Sequence, residues 1–117
     1  MKSGTDLIGD AKTRIKEVSP RDALALHARG GATFLDVRDQ HEVNLGRIPG
    51  AVHISRGTLE TKVEAAVPRD AEVVLYCASG NRSALAADAL QAMGYAKVSS
   101  LAGGFRGWAE AGGDVED

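Results

Sequence analysis

The one cysteine of this 117-residue chain, Cys77, heads a run of small, flexible and polar residues: Ala78, Ser79, Gly80, Asn81, Arg82 and Ser83. A thiol reacts as its thiolate, and a helix N-terminus or a nearby cation lowers its pKa from about 8.5 towards roughly 4–7. This run offers both. Gly80 can adopt positive φ, which lets a short loop curl until several backbone N–H groups face the sulfur. Arg82 adds a positive charge, and the Ser83 hydroxyl is placed either to cap a following helix or to hydrogen-bond the sulfur. Ala78 and Ser79 leave room above it. The competing reading is an inert packed thiol, since free cysteine is among the most buried residue types. A strand before the cysteine and a helix after it weigh against that reading.

Two chemistries suit a thiolate ringed by amides. In phosphate-ester cleavage the loop cradles three phosphoryl oxygens and an arginine clamps two of them. The phosphatase signature has five residues between cysteine and arginine, whereas Ala78, Ser79, Gly80 and Asn81 make four here. The tighter ring suits a thiolate carrying one extra sulfur. Sulfur transfer also protonates no leaving alkoxide, so it needs no general-acid aspartate.

The loop needs a strand to deliver it and a helix to close it. Val73, Val74, Leu75 and Tyr76 form an apolar run of the kind buried in parallel sheets. A helical segment runs from Ser83 to Met93, with Leu85, Ala86, Ala89, Leu90 and Met93 as its expected buried stripe. Further strands are expected at Lys16–Ser19, Thr33–Val37, Ala51–Ile54 and Lys97–Leu101. Between them lie a helix opened by Ser19-Pro20 and stopped by Gly30-Gly31, a short helix before Leu45, one over Thr58–Ala66, and a last one after Gly103-Gly104. Leu7, Ile8, Ala11 and Ile15 sit at helical spacing in residues 5–15, so residues 1–14 read as a lead-in helix ahead of a domain over 15–117. Alternating strands and helices imply an α/β domain with a central, mainly parallel five-stranded sheet flanked by helices. Sites in such sheets form beyond the carboxyl ends of the strands, where Cys77 stands.

Composition removes other classes. The net charge of −2, with no block of like charges, argues against a nucleic-acid surface or a polybasic membrane patch. One cysteine forms no internal disulfide and suits a reducing compartment. The first residues contain no apolar stretch of signal or membrane-spanning length, so a cytoplasmic location is expected. Three histidines, His27, His41 and His53, lack the paired spacing of a zinc site, and no metal is expected. His27 and His53 read as packed, hydrogen-bonded histidines.

On these residues the chain resembles the single-domain rhodaneses, a sulfurtransferase family. Cys77–Arg82 followed by Ser83 matches the family's active-site loop. Asp36-Val37-Arg38, Glu42 and Gly46-Arg47-Ile48-Pro49-Gly50-Ala51 match its upstream signature. Leu101, Gly103-Gly104, Trp108, Gly113 and Val115 match its C-terminal one. The resemblance implies a rhodanese-like three-layer sandwich. It implies that Cys77 takes the sulfane sulfur of thiosulfate or a persulfide and passes it, through a transient Cys77 persulfide and with no other cofactor, to cyanide, a thiol or a protein cysteine. The amides of residues 78–82 would hold the persulfide and Arg82 the anionic donor. Asp36, Arg38 and Glu42 are expected to be structural, with a buried ion pair between the first two and Glu42 or a neighbouring loop. Ala78 stands where some relatives carry a basic side chain, Arg47 where histidine is common, and Val43 where an aromatic is usual. A cysteine-dependent phosphatase or arsenate reductase of related fold, and a non-catalytic sulfur-delivery or sensing module, are the alternatives.

Overall fold

A computed structural model describes residues 1–117. The elements are α1 (Gly4–Arg14), β1 (Lys16–Val18), α2 (Pro20–Arg29), β2 (Ala32–Asp36), α3 (Gln40–Asn44), β3 (Val52–His53), a 3₁₀ turn at Arg56–Thr58, α4 (Leu59–Ala66), β4 (Glu72–Tyr76), α5 (Asn81–Ala92), β5 (Val98–Leu101) and α6 (Gly104–Glu110). The strands form one sheet of order β1-β5-β4-β2-β3, and every pairing is parallel. The expected "mainly parallel" sheet is therefore wholly parallel.

Alternation along β2 and β4 sorts the side chains into two cores, because successive Cβ atoms leave opposite faces of a strand. Leu35, Val37, Val73, Leu75 and Cys77 pack with Leu59 and Val63 of α4 and Ala86, Ala87 and Leu90 of α5. Phe34, Val74 and Tyr76 pack on the other face with Ala23 of α2, Trp108 of α6 and Ile48. Cys77 thus continues the register of Val73 and Leu75, and its sulfur leaves the sheet on the side where α5 begins.

The N-terminal helix lies on the outside of α5. Its Ser3 cap and Asp6 form a reciprocal capping box. Ala11 is buried, and Arg14 makes a two-pronged contact to Asp88 at 3.0 and 2.8 Å. Ser19 caps α2 and Pro20 opens it, as the Ser-Pro pair implies.

Helix α5 departs from the sequence expectation in two ways. It begins at Asn81 rather than Ser83, because Gly80 at φ +103° serves as its N-cap. Its buried face is Ser83, Ala84, Ala86, Ala87 and Leu90, while Leu85, Ala89 and Met93 are half-buried. Small residues face the sheet, so the helix can sit close against β4 and β5, and the larger apolar side chains mark its flank. The expected helix over Thr58–Ala66 divides into the 3₁₀ turn and α4.

Candidate active site

Cys77 sits immediately beyond β4, and only 1% of it is exposed. Its Sγ accepts from the Gly80 N–H at 3.1 Å and the Ser83 N–H at 3.4 Å. The Ser83 Oγ lies 3.5 Å from the sulfur and 2.8 Å from the Oγ of Ser100 on β5. When the sulfur is ionised, the Ser83 hydroxyl donates to it and Ser100 can donate to Ser83, a chain that passes through the buried side of the sheet. Burial pushes the Cys77 thiol up, but the Ser83 hydroxyl and the amides of Ser83, Gly80 and Ser79 outweigh it, so its pKa lies below the ordinary thiol value. These donors favour the ionised form of the sulfur from one side.

The loop keeps this shape because α6 holds its back. The Phe105 and Arg106 N–H groups donate to the carbonyls of Cys77 and Ala78 at 2.7 and 3.2 Å. With both carbonyls engaged behind the loop, the amides that follow turn towards the sulfur. Gly104 permits the contact: a Cβ there would lie 2.5–2.6 Å from Cys77 O, Ala78 C and Ala78 O. Gly103-Gly104 is therefore a seat for the cysteine loop as well as a tight helix start.

The other expected residues fall into two groups. Asp36 and Arg38 are buried and pair with each other, at 2.7 Å between Arg38 Nη2 and Asp36 Oδ2. Arg38 also donates to the carbonyl of Gly46 at 2.7 Å, and its guanidinium lies 4.4 Å from the centre of the Phe105 ring. Phe105 in turn stacks on Tyr76, whose hydroxyl accepts from the Ile48 N–H at 3.1 Å. The upstream signature and the chain neighbours of the other two, Tyr76 and Phe105, thus meet around one buried cation. The expected link from this pair to Glu42 is absent, and only its neighbouring-loop half is present, at Gly46.

Glu42 turns instead to the cysteine loop. Its two oxygens receive Arg82 Nη1 and Nη2 at 2.8 and 3.0 Å, a bidentate pair. The guanidinium of Arg82 holds Glu42 down to about 2, and Glu42 holds Arg82 above its ordinary range. Glu42 also accepts from the Asp39 N–H at 3.2 Å, closing the capping box of α3. Among the remaining loop residues, Ala78 is half-buried and Ser79 and Asn81 are exposed. The Asn81 Oδ1 lies 3.4 Å from the Lys12 ammonium of α1.

Several residues settle away from the sulfur. His27 donates to the Pro49 carbonyl at 2.8 Å and His53 to that of Arg38 at 2.7 Å, so both are satisfied packed histidines. Arg47 ties down the C-terminal tail through Glu116, by an ion pair at 2.9 Å and two backbone hydrogen bonds. Asp39, His41 and Glu42 bring one potential metal-ligating atom each within 4.8 Å of one another. The Arg82 guanidinium, paired with both Glu42 oxygens, places a positive charge against a cation at that group. No helix is long and apolar enough to cross a membrane.

The family profile described as "Rhodanese-like domain" matches residues 19–111. This chain belongs to the rhodanese-like family. The match starts at Ser19, so α1 and β1 precede it. Among relatives, the chain is 36% identical over 96 residues to a thiosulfate sulfurtransferase GlpE of Pseudomonas entomophila, covering 82% of this chain and 86% of that protein. In structure it resembles a protein of unknown function from Rhodopseudomonas palustris described as a possible tyrosine phosphatase. There the TM-score is 0.91 at 35% identity, over 99% of this chain and 96% of the other. It also resembles the polysulfide-sulfur transferase homodimer of Wolinella succinogenes, with a TM-score of 0.81 at 30% identity, over 95% of this chain and 85% of that one. The rhodanese-like fold accounts for the three-layer arrangement of sheet and helices and for the position of the loop at the carboxyl end of β4.

Sequence reasoning missed two partners of the site. Ser100 had a signal, for two serines interrupt the apolar strand Val98–Leu101. The Glu42–Arg82 pair had none beyond opposite charge, because 40 residues separate its members.

Proposed function

We propose that this rhodanese-like protein is a sulfurtransferase that carries a sulfane sulfur on Cys77 as a persulfide, cradled by residues Ala78–Ser83. The observation that carries the reading is the buried Sγ that accepts from two loop amides, at 3.1 and 3.4 Å, beside the Ser83 hydroxyl. The sulfurtransferase names of relatives at this level of identity support it. In the first half-reaction the Cys77 thiolate attacks the outer sulfur of the donor. A new S–S bond forms at Sγ, the donor's S–S bond breaks, and the electron pair departs on the donor remnant, sulfite or a thiolate. In the second, a thiophilic acceptor (cyanide, a thiol or a protein cysteine) attacks that outer sulfur and returns the Cys77 thiolate. Both are nucleophilic displacements at sulfur whose leaving group departs as a stable anion, so neither a cofactor nor a general acid is needed beyond the transient persulfide. The absence of a second cysteine in the chain leaves the persulfide with no internal thiol to resolve it, and a free thiol of this kind suits the cytoplasm.

Cys77→Ser should abolish cyanide-dependent turnover with every sulfane donor and leave the thermal transition in place. Turnover retained in that variant contradicts the assignment.

A second reading, phosphate-ester cleavage, draws on the description of the Rhodopseudomonas palustris relative. It requires an arginine free to clamp phosphoryl oxygens, whereas one N–H from each terminal nitrogen of Arg82 is engaged by Glu42, which also balances its charge. Cys77-dependent hydrolysis of an aryl phosphate is the result that would favour it.

A further inference from the structure

The charge of the cradle determines which sulfur donors it can hold, and here the loop's cation is already neutralised. Arg82 meets both oxygens of Glu42, and the Glu42 carboxylate sits with its side chain only 23% exposed. Ala78, the first loop residue after the cysteine, supplies no charge. The remaining cation that touches the loop, Lys12, is half-buried and reaches only the Asn81 side chain at 3.4 Å. What faces the sulfur is therefore a set of backbone N–H groups and a hydroxyl. Thiosulfate would bring two negative charges to a thiolate in this setting, with a paired carboxylate beside it.

Resting on the sulfurtransferase reading above, we infer that Glu42 is a specificity-determining residue: by occupying Arg82 it selects an organic persulfide donor, R–S–SH, over the thiosulfate dianion. Transfer from such a donor concentrates one negative charge in the site. The Cys77 thiolate attacks the terminal sulfur, the Sγ–S bond forms, the R–S bond to that sulfur breaks, and the electron pair leaves on R–S⁻, which solvent protonates. The product is Cys77–S–SH. The 1% exposure of Cys77 adds a steric condition that the same donor meets, a sulfur at the end of a narrow stem.

The test compares kcat/KM for thiosulfate and for cysteine persulfide in the wild-type protein, E42Q and A78R, with the mass of Cys77 read in parallel. Glutamine at position 42 keeps a side-chain acceptor for the Asp39 N–H, so the cap of α3 survives. Wild-type protein is expected to favour the persulfide by about tenfold or more. E42Q should raise kcat/KM for thiosulfate roughly three- to tenfold relative to that for the persulfide, an effect that salt reduces. A78R, which adds a cation without touching Glu42, should move thiosulfate in the same direction and serves if E42Q folds poorly. Thiosulfate preferred by the wild-type protein, or no gain in either variant while Cys77 is still loaded, overturns this inference and leaves the sulfurtransferase reading standing. Cys77 loaded by neither donor overturns both. A persulfide carried on a protein cysteine, run beside free cysteine persulfide, distinguishes a macromolecular source from a small one.

Discussion

Replacing Ser83 by alanine should raise the pH at which Cys77 becomes reactive by about one unit. Its hydroxyl lies 3.5 Å from Sγ, long for such a contact, and is held there by Ser100 at 2.8 Å. A hydrogen bond to a charged group is worth about 1.5–3 kcal/mol, and the length of this one places it at the lower end. One pKa unit corresponds to about 1.4 kcal/mol, which gives the predicted displacement. The Gly80 and Ser83 amides remain in the variant, so part of the depression survives. The folded thiol is depressed relative to the unfolded one. Its contribution to stability is therefore fully present above the unfolded pKa, about 8.5, and is lost as pH falls through the folded value. Ser83→Ala should show a rise in stability across that window smaller by about 1.4 kcal/mol. A separate cost of about 1–3 kcal/mol, present at every pH, comes from leaving the buried Ser100 hydroxyl without its partner. Alkylation by iodoacetamide as a function of pH measures the first effect, and urea melts at two pH values measure the others. An alkylation midpoint that does not move refutes the role given to this hydroxyl.

Two further outcomes follow from the packing. Gly104→Ala places a methyl group 2.5–2.6 Å from the Cys77–Ala78 backbone and should cost about 3 kcal/mol or more, while slowing persulfide formation. A thermal melt and a loading rate check it, and an unchanged rate would separate α6 from the shape of the loop. The Glu42 carboxyl is held at about 2 by Arg82, so the pair's contribution is present above the unfolded glutamate pKa of about 4.3 and is lost as pH falls towards about 2. Because the pair is partly exposed, that loss should be only about 1 kcal/mol in acid urea melts, and it should vanish in E42Q.

The parts of the molecule that could be read from sequence are those that local chemistry decides. Val73–Tyr76 is apolar because its strand is buried on both faces, and Ser19-Pro20 opens a helix because both residues suit that end. The shape of the cysteine loop was legible for the same reason: thiol, glycine and hydroxyl are neighbours in the chain. Partners brought together by the fold were not. Ser100 reaches Ser83 across 17 residues, and Glu42 could be assigned to Arg38 as readily as to Arg82 until the register of β2 and β4 placed it. The face of α5 was read correctly only at Ala86 and Leu90, because the rest of its contact surface consists of alanine and serine, which a search for large apolar residues passes over. Arg47 stands beside a glycine-rich loop with no nearby acid, and its partner Glu116 comes from the far end of the chain.

The central claim is that Cys77 carries sulfur. Intact-mass analysis of the reduced protein after incubation with thiosulfate and with cysteine persulfide tests it most directly. The expected result is a gain of one sulfur atom, located on the peptide containing Cys77, removed by cyanide and missing from Cys77→Ser. No gain with any sulfane donor, or an equal gain in the serine variant, would contradict the account.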